Sequence, residues 1–382
     1  MKRSIILLIV FSLLSITISK AYSATIFIPD KIRVALLDDA SDMILSVRGP
    51  YRIETIQTNE LIDKGNTSFN VHITPSNNGI TFGKKEFKIY AINIIPEREP
   101  AIYLGKRLYK GSLQIVRISK GKLLAINTLN LEDYLKGVLY HEVSHRWPME
   151  AIKAQAIVSR TFALYQAEQN KDKHYYLTSD VSSQVYGGVY AEKYRTNKAI
   201  QETKGKVLIY RKKILPAFFH ATCGGRTEDV SMLWKLNLKP LKGIRCSYCV
   251  NSPHFNWERK VRLTDIKEAL VKEGHKISDL KSLSIKGIDR SGRVKDIIIE
   301  AKNKKLVLSA KDFRRIVGSR LIKSRNFEVQ IKGEYAYFTG KGWGHGVGMC
   351  QWGAFTMAKK RKKAKDILEF YYPGARISRF SS

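Results

Sequence analysis

Residues 131–164 read LEDYLKGVLYHEVSHRWPMEAIKAQAIVSRTFAL, and the fold turns on where the helices of this stretch begin and end. Leu131, Tyr134, Leu135, Val138 and Leu139 recur at helical spacing, whereas the residues before them have the short β-branched runs of strands. Pro148 predicts a second helix start, with Glu150 in a first turn whose dipole favours acid. The same stretch spells H-E-x-x-H from His141 to His145, the pattern of a zinc-peptidase helix. That chemistry needs both histidines on one helical face and a third ligand. The new start at Pro148 predicts a bend near Ser144, and nothing singles out a third ligand, so the metallopeptidase is the remote alternative.

The helix after Pro148 is unusual in its polarity. Between Glu150 and Glu168 its only charged residues are Lys153 and Arg160, in a chain that is 26% charged. Ala151, Ala154, Val158, Phe162 and Tyr165 form one apolar stripe, and Ile157 and Leu164 lie on the other side. A helix apolar on two sides is expected to be buried. Seven residues apart, the two cations share one face about 10 Å apart along the axis. Buried cations need anionic partners. Two readings follow: structural ion pairs, or cations that face Glu142 and an anionic or hydroxyl-rich ligand.

Outward from this centre, residues 25–126 contain short segments such as KIRVALL, FNVHITP and FKIYAINI, punctuated by Gly, Asn, Asp and Pro. GSLQIVRISKGKLLAIN predicts a hairpin. Strand-like segments return at KVLIY, followed by a helix at TDIKEALVKEG, a hairpin within LSIKGIDRSGRVKDIIIEAKNKKLVLS and a last helix near AKDILEFYY. Strands before helices, without regular alternation, indicate α+β. The expected organisation is a signal peptide over residues 1–23, a strand-rich N-terminal lobe over residues 24–110 and a mixed α+β catalytic domain over residues 111–382.

Lys2 and Arg3, an apolar run over residues 5–18 and Ala21-Tyr22-Ser23 have the form of a secretory signal cut after Ser23, with an uncleaved membrane anchor as the alternative. The expected location is the periplasm or cell wall. A net charge of +33 attracts polyanions, which for an exported protein are the envelope's anionic polymers rather than nucleic acid. The KKRKKAK run at Lys359 to Lys365 reads as a solvated helix face. With 382 residues and 44% hydrophobic content the chain can build a substantial core.

At several ordered stretches the sequence resembles the stage II sporulation protein D and amidase enhancer family. They are LNLEDYLKGVLYHEVSHRWPMEAIKAQAIVSRTFAL, TSDVSSQVYGG, FFHATCGGRTED, CSYCVNSPHFNWE, RSGRVKDIII and GKGWGHGVGMCQWGA, spread over residues 111–377. The resemblance implies a fold unlike lysozyme and lytic cleavage of peptidoglycan glycan strands, preferably those stripped of stem peptides. It places the catalytic glutamate on Glu142 and supporting cations on Lys153 and Arg160. It also implies the other function class, a non-catalytic enhancer that partners an N-acetylmuramoyl-L-alanine amidase. This sequence departs from the family pattern at His141 and His145, and at Cys350, where serine is common.

Glycoside hydrolysis ordinarily wants two carboxylates. A lytic transglycosylase needs one, and no cofactor: it protonates the leaving oxygen, then takes the proton from the muramic acid's own primary hydroxyl as an anhydro ring closes. For that work Glu142 must hold a proton near neutral pH, so apolar surroundings are expected to raise its pKa. Nearby cations would oppose that shift.

His220-x-x-Cys223 and Cys246-x-x-Cys249 have the spacing of a Cys₃His zinc site, with a disulfide as the competing reading in an oxidising compartment. Some members of the resembled family carry zinc in this region. The lone Cys350 reads as a small buried residue in a glycine-rich turn. In GWGHGVGMCQWGA the glycines clear side chains around His345, and Gln351 and Trp352 are candidates to bond and stack on sugar rings, as is Tyr186 in QVYGG. A tight core crossing packed by tryptophans is the alternative for these residues.

Overall fold

Alternation organises the first third of the chain. Met43–Val47, Ile80–Phe82 and Ala91–Pro96 bury every second residue, so each strand offers one apolar face. The computed structural model describes residues 27–380 other than 100, 120 and 182, and the expected signal peptide lies outside the described residues. A seven-stranded sheet runs in the order Leu177–Thr178, Ile32–Ala40, Lys122–Leu129, Ser112–Ser119, Ala91–Pro96, Tyr51–Thr55, Leu61–Gly65. A six-stranded sheet runs Arg107–Tyr109, Ile102–Leu104, Met43–Val47, Ser68–Pro75, Ile80–Phe82, Lys85–Phe87. Both contribute to one core through residues such as Ile32, Leu45, Ile73, Ile94 and Ile115. The expected hairpin is present, with Leu113 opposite Asn127 and Ile115 opposite Ala125. It pairs with strands on both of its sides, so the larger sheet draws on sequence before and after residue 110.

The helices are α1 (Leu131–Glu142), α2 (Met149–Gln169), α3 (Tyr194–Glu202), α4 (Leu263–Lys272), α5 (Ala310–Val317), α6 (Gln351–Lys359) and α7 (Ala364–Tyr371). Mixed α+β is therefore the fold class. α1 leaves the sheet directly through its N-cap Asn130, with Glu132 and Asp133 in its first turn. It stops at Glu142 because Val143 is extended, at φ −140° and ψ 147°. Pro148 occupies the N-cap of α2, so the break anticipated near Ser144 is found.

Every residue of α2 from Ala154 to Leu164 is buried. Ile152, Ala156 and Ala163 pack into the sheet core, while Ala154, Ile157 and Val158 pack into a second core shared with α6 and α7. Alanines suit both roles, since they favour helix and let neighbours approach closely. A third core joins α4 and α5 to two three-stranded sheets formed by residues 256–341. That lobe is tied to the rest by the buried Glu228–Arg325 pair and by Arg293, which donates to the Cys223 carbonyl at 2.8 Å.

Burial on all sides dictates where the two cations of α2 find partners. Arg160 has no exposed side-chain surface. Its Nε and Nη2 donate to the two carboxylate oxygens of Glu132 at 2.8 and 2.7 Å, and further donors reach the carbonyls of Ile200 and Lys206. Glu132 is ten residues before Glu142, roughly 15 Å along α1. Lys153 meets Glu202 of α3 at 2.6 Å and Glu150 at 3.1 Å. Of the two readings open from the sequence, the geometry is that of structural ion pairs, and neither cation has Glu142 as its ionic partner among the described residues.

Removing one member of the buried pair leaves a desolvated charge. Glu132→Ala is therefore expected to lower unfolding free energy by roughly 3–5 kcal/mol, and Glu132→Leu with Arg160→Met to recover most of that loss. Urea denaturation of the parent, the single variant and the double variant checks this.

Candidate active site

Glu142 is the last helical residue of α1, where main-chain carbonyls gather and the helix dipole is unfavourable to a carboxylate. It is half-buried. Dehydration by the surrounding protein raises its pKa from 4.5 to about 7, against the opposing pull of a hydrogen bond from Gln351. The Gln351 amide also donates to the Glu142 main-chain carbonyl at 3.1 Å and to Gln155 Oε1 at 3.4 Å, and the Gln155 amide donates to Ser159 Oγ at 3.1 Å. Nearby, buried Tyr134 donates to Gln184 Oε1 at 3.1 Å. Burial raises the Tyr134 pKa well above the usual phenol value, and the charge of Glu142 adds to it.

Helix geometry keeps the cations away from this network. At 100° per residue, Gln155 is turned roughly 160° and 140° around α2 from Lys153 and Arg160, and Ser159 roughly 120° and 100°, so neither shares the face of the cations. Gln155, Ser159, Gln184 and Tyr134 were not singled out by sequence reasoning. The signal for two of them was present, because Gln155 and Ser159 are uncharged polar residues four apart in a helix with apolar residues on two sides.

The other candidates divide. Gln351 joins Glu142. Trp352 follows it in α6, its ring packed on Trp147 at 5.4 Å and Phe355 at 5.3 Å, so an aromatic cluster holds the corner before Pro148 against α6. Tyr186 is fully buried, its hydroxyl donating to Asn127 Oδ1 at 2.8 Å and its ring between Tyr109 and Tyr134. A side chain at Gly137 would strike that ring, so the position is shaped for packing and not for sugar contact. His345 is half-buried: its Nδ1 accepts from the Val347 N–H at 3.0 Å, and desolvation with nearby arginines lowers its pKa to about 3.

Among the described residues the histidines of the H-E-x-x-H pattern belong to no converging group of three metal donors. His141 is in α1, whereas His145 lies beyond the extended Val143, and the Tyr140 ring stands against both imidazoles at 5.7 and 5.6 Å. Among the described residues, the donors that do converge are the buried thiols of Cys223, Cys246, Cys249 and Cys350, all within 4.8 Å of one another. His220 stays outside this group, its Nδ1 bonded to the Val347 carbonyl at 3.1 Å. Cys350 takes the place expected for it because Phe219–His220 and Met349–Cys350 pair in parallel, with His220 opposite Cys350. The Cys350 sulfur accepts from the main-chain N–H groups of Cys223 and Gly353 at 3.3 and 3.4 Å, and so also caps α6.

Comparison with known proteins fits this arrangement. The stage II sporulation protein family model matches residues 119–210, which carry α1 and α2, and a domain of unknown function (DUF8618) matches residues 242–348. The stage II sporulation protein D of Bacillus subtilis is 28% identical over 72% of this chain and 82% of its own length. The chain belongs to the stage II sporulation protein D family. An uncharacterised protein of Brachyspira hyodysenteriae is 32% identical over 91% of this chain and 92% of that protein. The amidase enhancer of Bacillus subtilis is 28% identical over 64% of this chain, which spans 40% of the enhancer. A cell-wall-related role goes with this membership.

The raised Glu142 pKa has a signed consequence for stability. Between pH 4.5 and about 7 the folded protein keeps a proton that the unfolded chain gives up, so stability falls as pH rises through that window. Glu142→Gln is expected to match the parent near pH 4 and to exceed it by about 1–2 kcal/mol at pH 8, less than the full shift because the group keeps solvent contact. Urea titrations at both pH values test the difference.

Proposed function

We propose that this protein is a lytic transglycosylase of peptidoglycan glycan strands, exported to the periplasm or cell wall, with Glu142 as its single acid and base. The observation that carries the reading is the Glu142 carboxyl with a pKa of about 7 at a half-buried helix end. A group so poised can give a proton and take one back near neutral pH. None of the described hydrogen bonds or ion pairs ties a second carboxylate to it. The protonated carboxyl donates to the glycosidic oxygen as the bond from the muramic acid C1 breaks. The resulting carboxylate then removes the proton of the C6 hydroxyl, whose oxygen closes on C1 to give the 1,6-anhydro product. Because that nucleophile belongs to the substrate, positioning supplies much of the acceleration. Gln351, bonded to both ends of Glu142, is the positioning residue.

Four buried, converging thiols suit a structural zinc, and Cys223, Cys246, Cys249 and Cys350 would hold it. Such an ion supplies a crosslink. It would fix the start of α6, where Gln351 follows Cys350 directly. A disulfide within the same group is the competing crosslink. The resemblance to the amidase enhancer supports a second partner, an amidase acting on the same wall.

Glu142→Gln is expected to cut formation of anhydro-muramyl ends by at least about a hundredfold, with the fold intact. Mass spectrometry of digests of amidase-treated peptidoglycan measures it, and unchanged product yield would sink the assignment. For the crosslink, near-equimolar zinc is expected in protein prepared without chelators. Replacing any of the four cysteines by serine should reduce it, while His220→Ala should not. Metal-free protein with two fewer free thiols than cysteines would establish the disulfide instead.

A further inference from the structure

The densest run of charge in the chain takes no part in the chemistry proposed for Glu142. Residues 359–365 read KKRKKAK, six cations in seven positions. They are solvated but do not share one helix face: Lys359 ends α6, Lys360 to Lys363 form a turn, and α7 starts at Ala364. Two main-chain bonds close the turn, from the Arg361 N–H to the Ala358 carbonyl at 3.0 Å and from the Lys362 N–H to the Met357 carbonyl at 3.1 Å. Arg361 stands at φ 61°, where this closure favours glycine. All six cations are exposed, and among the described residues only Lys365 forms an ion pair, with Glu369 at 3.8 Å. Lys359 and Lys360 lie instead over the rings of Phe355 and Tyr248, at 5.5 and 5.7 Å.

The turn borders a cleft of about 590 Å³ lined by Lys206, Lys363, Lys365 and Arg376. The carboxylates of that cleft are already engaged. Glu150 and Glu202 hold Lys153 at 3.1 and 2.6 Å, Glu150 also accepts from the Ala364 N–H at 2.8 Å, and Glu369 faces Lys365, which leaves Lys206, Lys363 and Arg376 without an ion-pair partner among the described residues. Cations this close repel one another, a cost that a bound polyanion removes. Ammonium groups act as point charges, which suit phosphate without demanding a fixed bidentate geometry. A cleft admits a chain but not the flat surface of a bilayer. The Phe355 and Tyr248 rings have lysines over them, so they are not the free stacking platform that single-stranded nucleic acid uses.

We propose that the α6–α7 turn and the cleft beside it bind a phosphodiester polymer of the cell envelope. The polymer lies along Lys360, Arg361 and Lys362 and passes through the cleft by Lys206 and Arg376. Its source in the envelope rests on the export reading. Neither Glu142 nor Gln351 belongs to this site, so it holds whether or not the transglycosylase reading does.

The full chain is titrated with poly(glycerol phosphate), which carries neither glycosidic bonds nor bases. Affinity is expected to fall about a hundredfold between about 50 and about 200 mM salt, the counterion release of roughly five neutralised phosphates. Lys360→Gln with Arg361→Gln and Lys362→Gln should weaken binding at least about tenfold and leave the melting temperature at low salt unchanged or higher. Lys206→Gln with Arg376→Gln, across the cleft, should weaken it at least about fivefold, and gives the answer if the turn variant fails to fold. Lys281→Gln with Lys286→Gln and Lys295→Gln removes three charges from exposed positions elsewhere and should change affinity by less than about twofold. No binding by the parent, affinity retained by the site variants, or an equal loss in the distant variant would overturn the site. Tighter binding, at equal phosphate, to phosphatidylglycerol vesicles or to single-stranded DNA would overturn the occupant.

Discussion

A helix enclosed on every side must satisfy each polar group it carries, and most of the arrangement around Glu142 follows from that constraint on α2. Its charged face is neutralised by Glu132 of α1 and Glu202 of α3, which docks both helices against it. Its uncharged polar face, Gln155 and Ser159, is closed by Gln351 from the far end of the chain. Because the Gln351 amide also holds Glu142, the demand for polar satisfaction inside α2 fixes the end of α1 at the same time. Apolar residues in place of Gln155 and Gln351 would keep the packing and leave Glu142 without its hydrogen-bonding partner.

The cysteine cluster extends this linkage. Cys350 lies between the cluster and α6, giving its thiol to one and its cap position to the other. Gln351 and Trp352 follow in the first turn, one reaching Glu142 and the other packing on Trp147 beside Pro148. Anything that crosslinks the thiols therefore stiffens the support of the candidate acid without touching it. His220, opposite Cys350 in the short parallel ladder, lies outside the group of four thiols, with its Nδ1 bonded to the Val347 carbonyl.

Much of this was legible in the sequence for local reasons. Pro148, the change of hydrophobic period at Leu131 and the two-sided apolar pattern of α2 each report on a few neighbouring residues, and each element is found where it was expected. What escaped depends on contacts between distant segments. Spacing alone made His220 a ligand, because H-x-x-C beside C-x-x-C is a local pattern, whereas the fourth thiol comes from 101 residues beyond Cys249 and is brought in by strand pairing. Tyr186 and His345 look like binding residues in a glycine-rich context. At Tyr186 a glycine instead makes room for the ring, which a side chain at Gly137 would strike. The third core, built from residues 256–341, gave only isolated hairpin and helix signals because its two small sheets close on each other rather than on the main sheet.

The placement of Lys153 and Arg160 resolves a conflict that the chemistry itself poses. An acid that must hold a proton near pH 7 cannot tolerate two adjacent cations, since each favours the carboxylate and lowers the pKa. Had α2 turned its charged face toward Glu142, burial would have been opposed by attraction, and the group would titrate nearer its ordinary value. The helix instead directs both cations away from the acid and presents Gln155 to the Gln351 amide, the neutral donor that reaches Glu142. Neutral donors can orient a carboxyl while changing its proton affinity less than a full charge does. A pKa of about 7 at Glu142 thus depends as much on where α2 sends its charges as on what surrounds the carboxyl.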